Sequence, residues 1–191
     1  MKAVGLSGSP RKGGNTECLL DECLRVFTGQ GWEVTKFYLS EKTVKPCAGC
    51  EACMESGVCV IGDDDAGALF GALAGCDAVI IGSPVYWRNV TAQLKAVFDR
   101  TFAYGHTLLK GKPGGAVAVG RGEGTGYALT HAAIHNYLLS CGALVVPGGL
   151  NSLSAKADRP GDIRSQENRL RQARVLAQNV IEIAEKLRSN V

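Results

Sequence analysis

Two runs of consecutive apolar residues, Ala78-Val79-Ile80-Ile81 and Ala116-Val117-Ala118-Val119, constrain this chain more than any other feature. Neither alternates with polar residues, so a strand formed by either is buried on both faces. Both faces of a sheet are covered when helices cross over it, and such crossovers make neighbouring strands parallel. The remaining pattern agrees. Residues 2–6 read as a first strand, Val34, Phe37 and Leu39 as a second that breaks near Ser40, 77–83 as a third, 114–120 as a fourth and 143–146 as a fifth. Helical stripes fall between them. Leu19, Leu20, Cys23, Leu24 and Phe27 lie on one face over 16–28, and further helices are predicted from Ala68, over 91–100 and over 127–140. An irregular stretch, 147–160, leads to a final helix whose stripe is Ile163, Leu170, Ala173, Leu176, Val180, Ile183 and Leu187. At 191 residues this is one α/β domain, 1–191, carrying one excursion at 46–62.

Between the first strand and its helix runs Gly5-Leu-Ser-Gly-Ser-Pro-Arg-Lys-Gly-Gly-Asn-Thr16. Small residues at a helix N-terminus let backbone N–H groups converge on an anion, and the helix dipole adds to the attraction. Ser7, Ser9, Asn15 and Thr16 offer hydroxyl and amide donors, and Arg11 a charged fork. An ordinary βα turn is the plain alternative. Gly8 to Gly13 has the spacing of a nucleoside-triphosphate loop, but Gly14-Asn15 stands where that loop needs Lys and Ser/Thr. The dinucleotide fingerprint is absent as well. A monophosphate is the better match. Two more loops follow the third and fourth strands. Ser83-Pro84-Val85-Tyr86-Trp87 offers two aromatic faces for a conjugated ring or for a neighbouring subunit, and 120–126 is rich in glycine. In a doubly wound sheet of order 2-1-3-4-5 all three loops meet at the switch point, where ligands bind.

These residues carry a resemblance. Gly8-Ser-Pro-Arg-Lys-Gly-Gly-Asn-Thr16 resembles the phosphate loop of flavodoxin-like, FMN-binding oxidoreductases, and Ser83-Pro-Val-Tyr86 resembles their flavin-ring loop. Leu94-Lys-Ala-Val-Phe-Asp-Arg100 matches the helix after that loop, with Asp99 and Arg100 read as a structural or interface pair. The resemblance implies a five-stranded flavodoxin-like sheet that binds FMN. Ser7, Ser9, Arg11, Asn15 and Thr16 would serve the phosphate, and Pro84, Val85, Tyr86 and Trp87 the ring. Gly120, Arg121 and Gly122 would close the other side, with Arg121 near the N1–O2 edge. Relatives end this last loop with an acid where the chain reads Thr125-Gly126-Tyr127-Ala128. His106, His131 and His135 are isolated, and no catalytic base is assigned.

The excursion holds four of the eight cysteines: Cys47, Cys50, Cys53 and Cys59, spaced C-x2-C-x2-C-x5-C. Soft thiolates packed this closely select iron–sulfur or zinc. Zinc sites usually pair two knuckles across a longer loop, whereas this compact run resembles the wrapping of a [4Fe–4S] cube. It is also similar to the compact motif of the iron–sulfur flavoproteins, a resemblance that covers nearly the whole chain. Structural zinc and bare thiols stay open. Cys18, Cys23, Cys76 and Cys141 read as core. Asp63, Asp64 and Asp65 read as a helix cap ahead of Ala68 rather than a metal site.

Two functions follow. One is an electron-transferring flavoprotein in which a [4Fe–4S] cluster passes electrons from a one-electron donor such as ferredoxin to FMN and on to an acceptor. The other is an NAD(P)H-dependent FMN or quinone reductase whose cysteines hold zinc or no metal. A non-catalytic FMN-binding module has no dedicated partner surface in the sequence. The resemblance also implies a homodimer or homotetramer, one chain's cluster approaching the other's FMN. A net charge of +3 without a basic run argues against nucleic acid. No apolar run approaches membrane-span length, no signal peptide precedes the first strand, and unpaired cysteines suit a reducing compartment, so a cytoplasmic protein is expected.

Overall fold

The computed structural model describes residues 1–122, 124–148 and 152–189. Its centre is a parallel sheet in which β1 (Lys2–Ser7) lies between β2 (Glu33–Tyr38) and β3 (Ala78–Pro84), and β4 (Pro113–Gly120) follows β3. The order β2-β1-β3-β4-β5 is the flavodoxin-like arrangement. The two apolar runs form the interior strands, and Val79, Ile80, Ile81 and Val117 have no accessible surface.

The fifth position is divided. β5 (Leu144–Val145) pairs with Pro113 and Gly114 at the start of β4, and β6 (Leu153–Lys156) pairs with Val117–Gly120 at its end. The stretch 147–160, read as irregular, therefore contains a strand, and residues 149–151 within it lie outside the described residues. β6 is short, and Ser154 and Lys156 face away from its two buried residues, so no apolar run announces it.

Helices cover both faces. α1 (Asn15–Gly29) and α6 (Glu167–Ser189) pack on one side, with Leu19, Leu20, Cys23, Leu24 and Phe27 all buried. The other side carries α3 (Ala66–Gly75), α4 (Ala92–Arg100) and α5 (Thr125–Ser140). One turn, α2 (Cys53–Ser56), lies in the cysteine excursion. Along α6 the buried face is Ala173, Leu176, Ala177, Val180, Ile181 and Ala184, while Leu187 is exposed and Ile163 belongs to a separate 3-10 turn over Asp162–Ser165. Beyond Val180 the seam continues through Ile181 and Ala184, with Ile183 packed at its edge and Leu187 outside it. Cys23, Cys76 and Cys141 are buried and Cys18 is half-buried.

The acid triplet is a staple. Asp65 is the N-cap position of α3 but makes no side-chain cap bond; Asp64 before it accepts the first helical N–H, that of Ala66, at 3.0 Å, and also the Lys45 N–H at 2.8 Å. Asp65 accepts the Thr43 N–H at 2.8 Å and Asp63 pairs with the Lys45 ammonium, so all three tie the segment before the excursion to the one after it. Asp99 and Arg100 are not partners of each other. Asp99 meets Lys95 one turn back, and Arg100 meets Asp64 in the interior. Residues 99 and 100 of one helix point in different directions, one to solvent and one inward.

Candidate functional site

The loop after β1 is built around its own backbone. Ser7 is fully buried, and its Oγ accepts the Ser9 N–H at 3.2 Å. The Ser9 Oγ in turn accepts the Arg11 N–H at 3.1 Å. Each hydroxyl fixes the next bend. Gly8 passes so close to α4 that a Cβ would stand 2.7 Å from the Leu94 Cβ, and its carbonyl accepts the Thr91 Oγ1–H at 2.6 Å. Thr91 is also the N-cap of α4, accepting the Leu94 N–H at 3.2 Å, so one side chain joins the loop to that helix.

At the mouth of α1 the donors are left open. Its N-cap, Gly14, has no side chain to turn inward, and the first-turn N–H groups of Asn15, Thr16 and Glu17 have no acceptor among the described residues. A Cβ on Gly14 would lie 3.0 Å from the Arg11 carbonyl oxygen, so glycine keeps this corner clear. Glu17 is buried and reaches back past the N-cap to accept the Gly13 N–H at 2.5 Å and the Ser40 hydroxyl at 2.6 Å.

This corner opens into a cavity of about 660 Å3, within the usual size of a small-molecule site. Ser9, Arg11, Asn15 and Thr16 line one end, Pro84 to Trp87 one wall, and Gly120, Arg121 and Gly122 another. Ser7 does not reach the cavity; it acts through Ser9. The Asn15 amide is partly engaged by another loop. Its Nδ2 donates one N–H to the Arg159 carbonyl at 2.7 Å and its Oδ1 accepts the Gly161 N–H at 2.9 Å, which fixes the amide and leaves one Nδ2 N–H and the backbone N–H for a ligand. Three arginines, Arg11, Arg88 and Arg121, and no carboxylate occur among the described lining residues, so the cavity favours an anion.

The wall after β3 is strained. Tyr86 and Asn89 exchange both backbone hydrogen bonds at 2.9 Å, and between them Trp87 and Arg88 stand at φ of 48° and 62°. Two consecutive non-glycine residues in the left-handed region form a tight turn of the primed kind, a conformation found chiefly where a site demands it. Trp87 is 100% exposed beside the cavity. The opposite lip is held by Tyr127, whose hydroxyl donates to the carbonyls of Gly120 and Gly122 at 3.0 Å. Glu123 of this loop lies outside the described residues.

Sequence reasoning missed Gly14, Arg88, Val119, Thr125, Gly126, Tyr127 and Ala157 in the lining. Tyr127 was legible as a departure from the resembled loop, but its role as a latch was not. Ala157 follows the unannounced β6, so nothing in the sequence pointed to it.

Cys47, Cys50, Cys53 and Cys59 line a second cavity of about 420 Å3 together with Asp99 and Phe102. Cys47 and Cys50 are exposed and the other two half-buried. Among the described residues no three thiol, imidazole or carboxyl groups stand close enough to hold a metal ion, so the four share a cavity without converging. The neck of the excursion is enclosed. Burial alone would raise the Asp64 pKa, yet the Lys45 and Ala66 N–H groups and the Arg100 guanidinium hold it below the usual carboxylate range.

Comparison with known proteins agrees with this geometry. Residues 1–158 match the family model of NADPH-dependent FMN reductase. An iron–sulfur flavoprotein of Methanocaldococcus jannaschii is 38% identical over 189 residues, covering 96% of this chain and 97% of that protein. An iron–sulfur flavoprotein of Methanosarcina thermophila is 37% identical over 168 residues, 84% of this chain and 87% of that one. Among solved structures, RosB with a bound 8-demethyl-8-formylriboflavin-5'-phosphate intermediate superposes with a TM-score of 0.79 at 17% identity, over 99% of this chain and 81% of that chain. An archaeal flavodoxin gives 0.59 at 16% identity, over 94% and 99%; both likenesses are of fold. With its family model spanning all five strand positions and full-length relatives above 30% identity, the chain belongs to the NADPH-dependent FMN reductase family, among its iron–sulfur flavoproteins, and is a flavin-dependent oxidoreductase.

Proposed function

We propose that the larger cavity binds FMN and that Cys47, Cys50, Cys53 and Cys59 hold a [4Fe–4S] cluster, so that the protein passes electrons from a one-electron donor such as ferredoxin to FMN and on to an acceptor. The observation that carries the FMN assignment is the open α1 corner. Three unpaired first-turn N–H groups, a glycine cap and an uncommitted Arg11 meet where a flat-walled cavity begins. A bound monophosphate would take those donors, with Thr16 and Ser9 beside them. Pro84 to Trp87 would flank the ring, and Arg121 would place positive charge against its polar edge. When bound, the flavin supplies two-electron chemistry and the cluster one-electron transfer, so the pair converts between donors and acceptors of different valence.

The cysteine cavity suits such a cluster in its donors. Its four thiols are soft ligands within thirteen residues, gathered on one segment whose two ends are fastened to α4 and α3. The two cavities share no lining residue. Thr91 at the start of α4 touches the phosphate loop and Asp99 near its end lines the cysteine cavity, so the centres are separated by a nine-residue helix, about 13 Å of rise. Exposed apolar side chains mark both: Trp87 at one, Met54, Val58, Val60 and Phe102 at the other. A homodimer or a dimer of dimers that covers these side chains would bring one chain's cysteines to the other chain's flavin. A monomeric mass by light scattering at micromolar concentration removes this arrangement.

No helix among the described residues is long and apolar enough to cross a membrane. A reducing cytoplasm is the compartment we assign, on the eight free thiols.

The deciding experiment is the count of FMN, iron, acid-labile sulfide and zinc per chain after anaerobic purification. About four irons and four sulfides support the cluster. One zinc without sulfide, or no metal, supports the NAD(P)H-dependent FMN or quinone reductase, which the family description favours; rapid bleaching of the flavin by NADPH alone would then be expected.

A further inference from the structure

Arg100 is the last residue of α4, and its side chain is only 1% exposed. Its Nη1 donates to Asp64 Oδ2 at 2.8 Å and to the Lys45 carbonyl at 3.1 Å, and its Nη2 donates to the Ile61 carbonyl at 2.8 Å. Lys45 stands two residues before Cys47 and Ile61 two residues after Cys59, so one guanidinium closes the neck of the whole excursion. Its Nε is different. It is buried and has no partner among the described residues. A buried N–H without an acceptor is a costly arrangement that marks an absent partner or a functional role.

The acceptor at hand is sulfur. Cys59 lies two residues before Ile61, whose carbonyl this guanidinium holds at 2.8 Å, and it lines one cavity with Asp99 and Phe102, which stand on either side of Arg100 in the sequence. A ligand thiolate keeps lone pairs that accept N–H groups, and such hydrogen bonds, with nearby charge, set cluster potentials.

We propose that Arg100 is a positioning residue of the cysteine centre: its two Nη groups hold the neck of the excursion shut, and its Nε–H donates to the sulfur of Cys59 when that thiolate ligates the cluster. The inference rests on the cluster reading above. Its consequence is directional. A fixed cation and a donor at a ligand sulfur favour the reduced, more negative cluster, so removing the donor lowers the midpoint potential.

The test compares the wild type with Arg100→Lys, which keeps the charge beside Asp64 but has no Nε and no fork, and with Arg100→Gln/Asp64→Asn, which removes both buried charges together. Each is purified anaerobically. FMN per chain reports the fold, iron and sulfide report the cluster, and an anaerobic titration followed by electron paramagnetic resonance gives its midpoint potential. We expect full FMN in Arg100→Lys, a cluster lost at least twice as fast to a chelator as in the wild type, and a tenfold shift of the one-electron equilibrium toward the oxidised state, about 59 mV. If Arg100→Lys does not fold, the double variant is read in its place. A cluster with unchanged potential and unchanged chelator resistance overturns the inference while leaving the cluster reading intact. Loss of FMN in both variants also overturns it, since Arg100 would then serve the fold as a whole. A wild type without iron and sulfide overturns the cluster reading and this inference with it.

Discussion

Replacing Trp87 by Asn should stabilise the flavin-free protein and weaken its hold on FMN, two effects of opposite sign from one substitution. Trp87 sits at φ 48° in the turn that Tyr86 and Asn89 close, followed by Arg88 at 62°. A bulky L-residue in the left-handed region costs about 1–2 kcal/mol, and asparagine tolerates that region far better. The usual counterweight is lost packing. Here it is absent, because the indole is fully exposed. The flavin-free variant should therefore gain about 1 kcal/mol, a rise in Tm of about 2–4 °C for a chain of this size. FMN, in contrast, loses an aromatic neighbour worth about 0.5–1.5 kcal/mol, so its Kd should rise roughly two- to tenfold. Urea denaturation of flavin-free protein at two concentrations, followed by circular dichroism, gives the first quantity, and quenching of flavin fluorescence on titration gives the second. A loss of stability would refute the reasoning, since the indole would have to be buried against something, a second copy being the first suspect if the loss depends on concentration. A gain in stability with unchanged FMN affinity would remove Trp87 from the site.

Arg11→Ala should leave stability within about 0.5 kcal/mol, as expected of an exposed residue, yet weaken FMN by roughly ten- to a hundredfold, the loss of a charged hydrogen bond of about 1.5–3 kcal/mol. Riboflavin, which has no phosphate, should bind both forms alike, and a parallel loss for riboflavin would contradict a phosphate contact. His131 lies on α5 with Nε2 3.0 Å from Ser154 Oγ, and burial first, then His135, pushes its pKa down to about 4. It is neutral in the fold and takes up a proton on unfolding below pH 6.5. Stability should therefore fall as pH drops from about 6.5 to about 4, by about 3 kcal/mol, and the fall should flatten in His131→Gln; equal slopes in urea titrations of the two proteins across that window would refute it. Cys59→Ser should lose iron and sulfide while keeping FMN, because the two cavities share no lining residue. Loss of both cofactors together would show the centres to be coupled through the fold.

What the sequence made legible was set by the strength of each local signal. The unbroken runs at 78–81 and 116–119 can form only doubly covered strands, and from them the parallel sheet and its switch point follow. The loop at 7–16 was legible for a related reason: hydroxyls and glycines at a strand–helix junction have few other uses. Elsewhere the deciding term was a long-range contact that composition does not encode. The Asn15 side chain reads as a ligand donor, but nothing local shows that Gly161 and Arg159, nearly 150 residues away in the chain, fix its orientation and take its oxygen and one N–H. The α6 stripe was misread at its end because Ile181 and Ala184 turn inward where Leu187 was expected, while Ile183 packs at the edge of the core. Arg100 reads as half of an Asp99–Arg100 pair because those residues are adjacent, whereas helical geometry sends them to different neighbours.

That last case shows how the two cavities come to be related. α4 is capped by Thr91, whose hydroxyl is spent on the Gly8 carbonyl of the phosphate loop, and it ends on Arg100, whose guanidinium is spent on Lys45, Ile61 and Asp64. Its interior residues Leu94 and Val97 are fully buried, so neither end can shift without disturbing the core. The position of the cysteine excursion relative to the flavin cavity is therefore fixed by one short helix rather than by the loop's own structure, which has little buried surface of its own. A loop with so few internal contacts needs an external anchor at both ends to present four thiols at a defined place, and a side chain with three donors already engaged at that neck supplies one.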